Sequence, residues 1–126
     1  MILKNNLYNV TSEGIVDGKQ CYTISLDSSC FIFKAHFPGM PITPGVCIIQ
    51  IAKELLERKL GRALEMKAAK NVKFLSVLSP EEQAFYTYRF DKTILSADGN
   101  EVKAQAVVLS ESETKAKISF TCITKE

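Results

Sequence analysis

The residue best placed to do chemistry is His36, the only histidine in the chain. It opens the run His36-Phe37-Pro38-Gly39-Met40-Pro41-Ile42-Thr43-Pro44-Gly45-Val46, which carries three of the four prolines at intervals of three. Proline fixes φ, lacks an N–H and keeps the preceding residue out of the helical region, so this run is a stiff extended arm. Gly39 and Gly45 allow a turn or a close backbone approach. A helical run begins at Gly45. The first N–H groups of a helix have no partner within it and lie at the positive end of its dipole, where they can hold an anion or a carbonyl oxygen. A histidine with an ordinary pKa near 6.5 takes up and returns a proton near neutrality. The pattern offers a proton-transfer group followed by an oxyanion-binding helix start.

The elements that position these groups follow from periodicity and turn chemistry. Leu7–Val16 and Lys19–Leu26 read as strands joined at Asp17-Gly18, a strong hairpin signal. Tyr22, Ile24 and Leu26 alternate with Cys21, Thr23 and Ser25. The apolar patch Cys30-Phe31-Ile32-Phe33 is expected to anchor the proline arm. Gly45–Leu60 reads as one long helix, apolar nearly all round in its first half and amphipathic in its second, with Gly61 as its terminating residue. Four strand candidates follow: Ala63–Leu75, Gln83–Asp91, Glu101–Ser110 and Thr114–Thr124. A mainly antiparallel sheet of five to six strands wrapped round one central helix, an α+β layering, buries both partners. With 126 residues this is a single domain, 1–126.

Bulk properties narrow the function. A net charge of +2 without a basic patch interleaved with aromatics argues against nucleic acid. No apolar run approaches the ~20 residues of a membrane span, and Met1–Val10 carries no signal-peptide core, so a cytoplasmic location is expected. Asn9-Val10-Thr11 matches a glycosylation acceptor only by chance on that expectation. Cys21, Cys30, Cys47 and Cys122 form no C-x-x-C, so reduced thiols, no metal site and no cofactor are expected.

The segment His36-Phe37-Pro38-Gly39-x-Pro41-x-x-Pro44-Gly45-Val46, in this order of elements, resembles the beta-hydroxyacyl-acyl-carrier-protein dehydratases of fatty acid synthesis, which have the hotdog fold. Phe31-Ile32-Phe33, Lys73-Phe74 and Val77-Leu78-Ser79-Pro80 extend the likeness over most of the chain. The resemblance implies elimination of water from a beta-hydroxyacyl thioester. It assigns His36 as base at the α-carbon and the backbone N–H groups of Gly45 and Val46 as holders of the thioester carbonyl. It also implies dimers with two central helices side by side and acyl tunnels at their interface, with Phe37 beside the substrate. The carrier would be acyl carrier protein or coenzyme A.

The family's second catalytic group is a carboxylate fourteen positions after the histidine, and Gln50 occupies that position here. An amide hydrogen-bonds but donates no proton at neutral pH, and losing a general acid typically costs ~10²–10⁴ in rate. Three readings follow: a slow or specialised dehydratase, a heterodimer subunit whose paralogue supplies the carboxylate, or a non-catalytic acyl- or carrier-binding protein. Glu54, one turn beyond Gln50, is a substitute acid in the first reading and otherwise a solvated surface charge. An acyl thioesterase is a weaker option, because hotdog thioesterases do not usually carry the His-Phe-Pro motif. Thr43 stands where the family has a large apolar residue and is either a tunnel-lining contact or a solvent-facing loop residue. Arg58, Lys59, Arg62, Lys67, Lys70 and Lys73 form a basic run that is either a steering surface for an acidic carrier or a solvated face.

Overall fold

A computed structural model of the chain describes residues 2–35 and 39–125. Its six strands are β1 (Tyr8–Val16), β2 (Lys19–Leu26), β3 (Leu64–Phe74), β4 (Tyr86–Leu95), β5 (Glu101–Ser110) and β6 (Glu113–Thr124). They form one antiparallel sheet in the order β1-β2-β4-β5-β6-β3. The β1–β2 hairpin turns at Asp17-Gly18, both at positive φ (52° and 77°), which suits the right-handed twist of its strands. Tyr22, Ile24 and Leu26 of β2 join Tyr86, Tyr88 and Phe90 of β4 and alternate residues of β5 and β6 on one buried face.

Two helices meet this face, where the sequence suggested one. Phe31–Ala35, expected only as an apolar patch, forms the five-residue helix α1. It sinks Ile32 and Phe33 into the core and leaves Phe31 exposed, so it anchors the start of the proline arm as its composition suggested. The 16-residue helix α2 spans Gly45–Leu60 and buries Cys47, Ile48, Ile51, Ala52, Leu55 and Leu56, the stripe of a 3.6-residue period. The Tyr88 hydroxyl donates to the Ile48 carbonyl at 3.0 Å, tying β4 to the helix. Gly61, at φ 68°, ends α2 by donating its N–H to the Glu57 carbonyl.

Two expectations are corrected, and one of two open alternatives is removed. The first half of α2 is apolar but not enclosed: Val46 is 66% exposed, while Ile49 and Gln50 are half-buried. β4 runs Tyr86–Leu95 rather than Gln83–Asp91. A bulge between Phe90 and Lys92 shifts the alternation, so the outward phase of Lys92 and Ile94 hides the strand's continuation. Thr43 is no solvent-facing loop residue, being 3% exposed with its N–H donating to the Leu78 carbonyl at 2.9 Å.

Candidate functional site

The arm reaches α2 through Gly39, at φ 88°, and through Pro44, whose extended backbone (φ −60°, ψ 146°) precedes the first helical turn. His36, Phe37 and Pro38 lie outside the described residues. Pro44 provides no side-chain cap. Its carbonyl instead accepts from the N–H groups of Cys47 (2.9 Å) and Ile48 (3.1 Å). Gly45 and Val46 are the first two helical residues, whose N–H groups have no carbonyl one turn back to reach. The helix start thus lies at the positive end of the α2 dipole without a side-chain cap from Pro44.

Gly45 is closely packed there. A Cβ on it would lie 2.8 and 2.9 Å from Cε2 and Cζ of Phe74, at the end of β3. The ring of Phe74, itself 49% exposed, covers the start of α2. Thr43, two residues earlier, holds its hydroxyl in the interior with no hydrogen-bond partner among the described residues.

One turn into α2, Gln50 donates its Nε2 to Glu54 Oε2 at 2.8 Å. Glu54 is not the solvated surface charge that its spacing allowed. Its Oε2 also accepts from the Leu3 N–H (2.9 Å), and its Oε1 accepts from the Lys4 N–H (2.9 Å) and the Tyr8 hydroxyl (3.0 Å). Three donors from the N-terminal segment and one from α2 itself therefore converge on one half-buried carboxylate. Tyr8, buried and close to this charge, has its phenol pushed well above the ordinary value, first by burial and then by the Glu54 charge. Gln50, Glu54 and Tyr8 line a cavity of about 630 Å³ together with Lys53, Glu57 and Arg58.

Sequence reasoning did not find Leu3, Lys4 and Tyr8, because they lie 46 to 51 positions from Glu54 and share no local pattern with it. The hold of Phe74 on Gly45 was missed for the same reason. The basic run is partly committed to the fold: Arg58 pairs with Glu13 at 2.7 Å and Lys67 with Glu101 at 3.0 Å. Arg62 donates to the Gly99 carbonyl at 2.8 Å, while Lys59, Lys70 and Lys73 stay exposed. All four cysteines are free thiols. Burial raises the Cys47 thiol and pushes Cys122 to about 11, so neither supplies a thiolate near neutrality. No described helix is long and apolar enough to cross a membrane, and no acidic, cysteine or histidine cluster among the described residues could hold a metal.

In overall fold the chain is similar to a solved structure of the dehydratase heterocomplex ApeI:P from Xenorhabdus doucetiae. The TM-score is 0.63 at 17% identity, covering 90% of this chain and 96% of that one. It is also similar to a hypothetical thioesterase with coenzyme A from Streptococcus pneumoniae, with a TM-score of 0.64 at 11% identity and coverage of 94% and 85%. In sequence it is 30% identical over 114 residues to the 3-hydroxyacyl-acyl-carrier-protein dehydratase FabZ of Fusobacterium nucleatum, covering 86% of this chain and 75% of that protein. The FabZ dehydratase of Chlamydia pneumoniae is 31% identical over 103 residues, and the match spans 75% of this chain and 66% of that protein's length. Residues 15–106, which hold the proline arm, all of α2 and the strands up to the middle of β5, match the family model of the ApeI dehydratase. On these grounds the chain belongs to the ApeI-like dehydratase family.

Proposed function

We propose that this chain serves the dehydration of a beta-hydroxyacyl thioester. The observation that carries the reading is the uncapped start of α2, kept narrow by Gly45 against Phe74, at the end of an arm that begins with the only histidine. The thioester carbonyl accepts from the Gly45 and Val46 N–H groups. His36 removes a proton from the α-carbon, and the resulting enolate charge is held at the positive helix end. The carbon–carbon double bond forms as the β-carbon–oxygen bond breaks. The leaving hydroxyl takes up a proton to depart as water.

That last proton needs a donor, and Gln50 has none to give. The exposed Val46 and half-buried Ile49 and Gln50 leave an apolar stretch of α2 open beside the site, which suits a second subunit. We infer a dimer in which a partner chain lies along this helix, and a related partner bearing the carboxylate completes the proton transfer. ApeI:P of Xenorhabdus doucetiae, similar in fold, is a dehydratase heterocomplex, which is compatible with such pairing. Acyl carrier protein or coenzyme A would present the thioester, and exposed Lys59, Lys70 and Lys73 would attract an acidic carrier. The buried Thr43 hydroxyl would meet a polar group of the acyl chain.

The test follows dehydration of a short beta-hydroxyacyl thioester through the absorbance of the new conjugated double bond, for the native chain beside Gln50→Glu. The native chain alone is expected to be slow or silent, and Gln50→Glu to raise the rate by roughly 10²–10⁴, the usual contribution of a general acid. His36→Ala in the Gln50→Glu background should abolish turnover and keep the fold. Equal rates with and without Gln50→Glu would place the proton donor elsewhere. Unchanged turnover after His36→Ala would remove His36 from the mechanism.

A further inference from the structure

We propose that the outer face of the sheet carries a binding site for a small ligand with clustered phosphoryl groups, gathered by Lys70, Lys92 and Lys103. The site is independent of the thioester reaction and lies on the side of the sheet away from α2. A groove of about 260 Å³ crosses β3, β6, β5 and β4 there, with Gln105, Ser119 and Thr121 between the three lysines.

The strand register makes the groove. Lys92, Gln105, Ser119 and Lys70 stand opposite one another in a row from β4 to β3, and Ile94, Lys103 and Thr121 form the next row. The residues that alternate with them on β5 and β6, such as Ala104, Ala106, Ile118 and Phe120, are buried in the core. Adjacent strands lie ~4.8 Å apart, so Lys70 and Lys92 start about 14 Å from each other. Each ammonium rides on a flexible four-carbon stem and can reach a ligand seated over Gln105 and Ser119. The Ser119 and Thr121 hydroxyls and the Gln105 amide supply further donors from the floor.

Two β-bulges bring the lysines to this face. On β4, Phe90 stands opposite Ala106 and Lys92 opposite Gln105, two positions against one. In a regular strand Lys92 would share the buried face of Phe90, and the bulge turns it outward. On β3, Lys70 to Lys73 covers three positions against the two from Ser119 to Lys117. Asn71, at φ 48°, lies in that bulge, which lets Lys70 and Lys73 both face outward.

The charge on this face is unbalanced. In an adjoining groove of about 400 Å³, Lys73 and Lys117 stand directly opposite each other, a like-charge pairing that is destabilising unless an anion screens it. Asp91 is the one carboxylate lining either groove, and it is held by Arg89 at 2.6 and 3.2 Å and by Lys19 at 3.5 Å. Among the described residues Lys70, Lys73, Lys92, Lys103 and Lys117 have no ion pair. Phe120, the aromatic residue lining the groove, is 2% exposed, so no ring is offered to a nucleic acid base. Compact phosphoryl groups suit lysines, which bind phosphate as point charges.

The experiment titrates the full chain calorimetrically with inorganic pyrophosphate at low ionic strength. One pyrophosphate per chain is expected, with affinity falling as salt is added. Lys92→Gln with Lys103→Gln should weaken binding about tenfold or more. Lys4→Gln with Lys125→Gln removes the same charge beside α2 and should change affinity less than about twofold. Equal weakening by the two pairs reduces the effect to net charge and overturns the site, as does absence of binding by the native chain. A glutamate-rich peptide that displaces pyrophosphate at equal charge concentration overturns the preference for phosphoryl groups. Vesicles of phosphatidylglycerol in phosphatidylcholine separate the sources. Binding tighter than that of pyrophosphate, and lost with Lys92→Gln and Lys103→Gln, assigns a lipid headgroup; weaker binding assigns a soluble phosphate. Should the first pair fail to fold, acetylation of the native chain decides. Protection of Lys92 and Lys103 by pyrophosphate supports the site, and unchanged labelling overturns it.

Discussion

At the scale of single residues, the side chain that Gln50 meets one turn on is a carboxylate. Gln50 Nε2 and Glu54 Oε2 are 2.8 Å apart, so Gln50→Glu would place two carboxyl groups within hydrogen-bond distance. Two like charges so close cannot both form easily, and the pair shares a proton above the ordinary carboxylate pKa of ~4.3. The new acid should therefore stay protonated to higher pH than an isolated glutamate, as a proton donor requires. We expect the alkaline limb of the Gln50→Glu pH–rate profile to move down when Glu54→Gln is added. A limb that ignores Glu54 would mean that the two groups do not share a proton. Thr43 allows a second prediction. A buried hydroxyl without a partner costs roughly 1–3 kcal/mol, and Thr43 has none among the described residues, so Thr43→Val, which keeps the shape, should raise stability by about 1 kcal/mol. The check is a higher denaturant midpoint at unchanged slope. A lower midpoint would reveal a partner for the hydroxyl in the folded chain.

At the scale of elements, the arm, α2 and β3 meet at Gly45, where the proposed thioester site would lie. Phe74 closes β3 over Gly45 at a distance that leaves no space for a methyl group. Carbon atoms rest ~3.5–4.0 Å apart, so Gly45→Ala must push the ring aside. The ring is half-exposed and can swing outward, which limits the loss of stability to about 1 kcal/mol. The methyl and the displaced ring then crowd the approach to the Gly45 and Val46 N–H groups. We expect a raised KM for the thioester in the Gln50→Glu background, with the thermal midpoint little changed. An unaltered KM would separate the helix start from substrate binding.

At the scale of the whole molecule, all four tyrosines lie in the core. Tyr8, Tyr22, Tyr86 and Tyr88 are each 2% exposed or less, and three of them spend their hydroxyls inside: Tyr8 on Glu54, Tyr86 on the Ser79 carbonyl and Tyr88 on the Ile48 carbonyl. Burial, the first cause in each, raises all four phenols above the ordinary 10.0. A pKa raised by folding means that the unfolded chain loses its proton first as pH rises. The stabilisation is complete below pH 10 and is lost progressively above it. Ultraviolet titration should show phenolate appearing together with loss of helix and sheet, in one cooperative alkaline transition. Phenolate formation for all four at their ordinary value, with the fold intact, would contradict this account. The open stretch of α2 belongs to the same scale: sedimentation is expected to show a species of twice the 14.0 kDa chain.

Much was legible in the sequence because its causes are local. The Asp17-Gly18 turn, the ends of β2 and β5 and the Gly61 stop of α2 follow from residue types a few positions apart. The motif from His36 to Gly45 marked the family by the same route. The rest depends on contacts between distant segments. The bulge at Phe90 concealed the second half of β4, because alternation is legible only while its phase holds. Whether Thr43 faced solvent or the interior depended on its pairing with Leu78, thirty-five positions later. The state of Glu54 depended on Leu3, Lys4 and Tyr8, which only the folded chain brings to it. Sequence determined which groups exist and how far apart they lie along the chain. Tertiary structure decided which donors reach which acceptors, because hydrogen bonds are set by distances of about 3 Å in space.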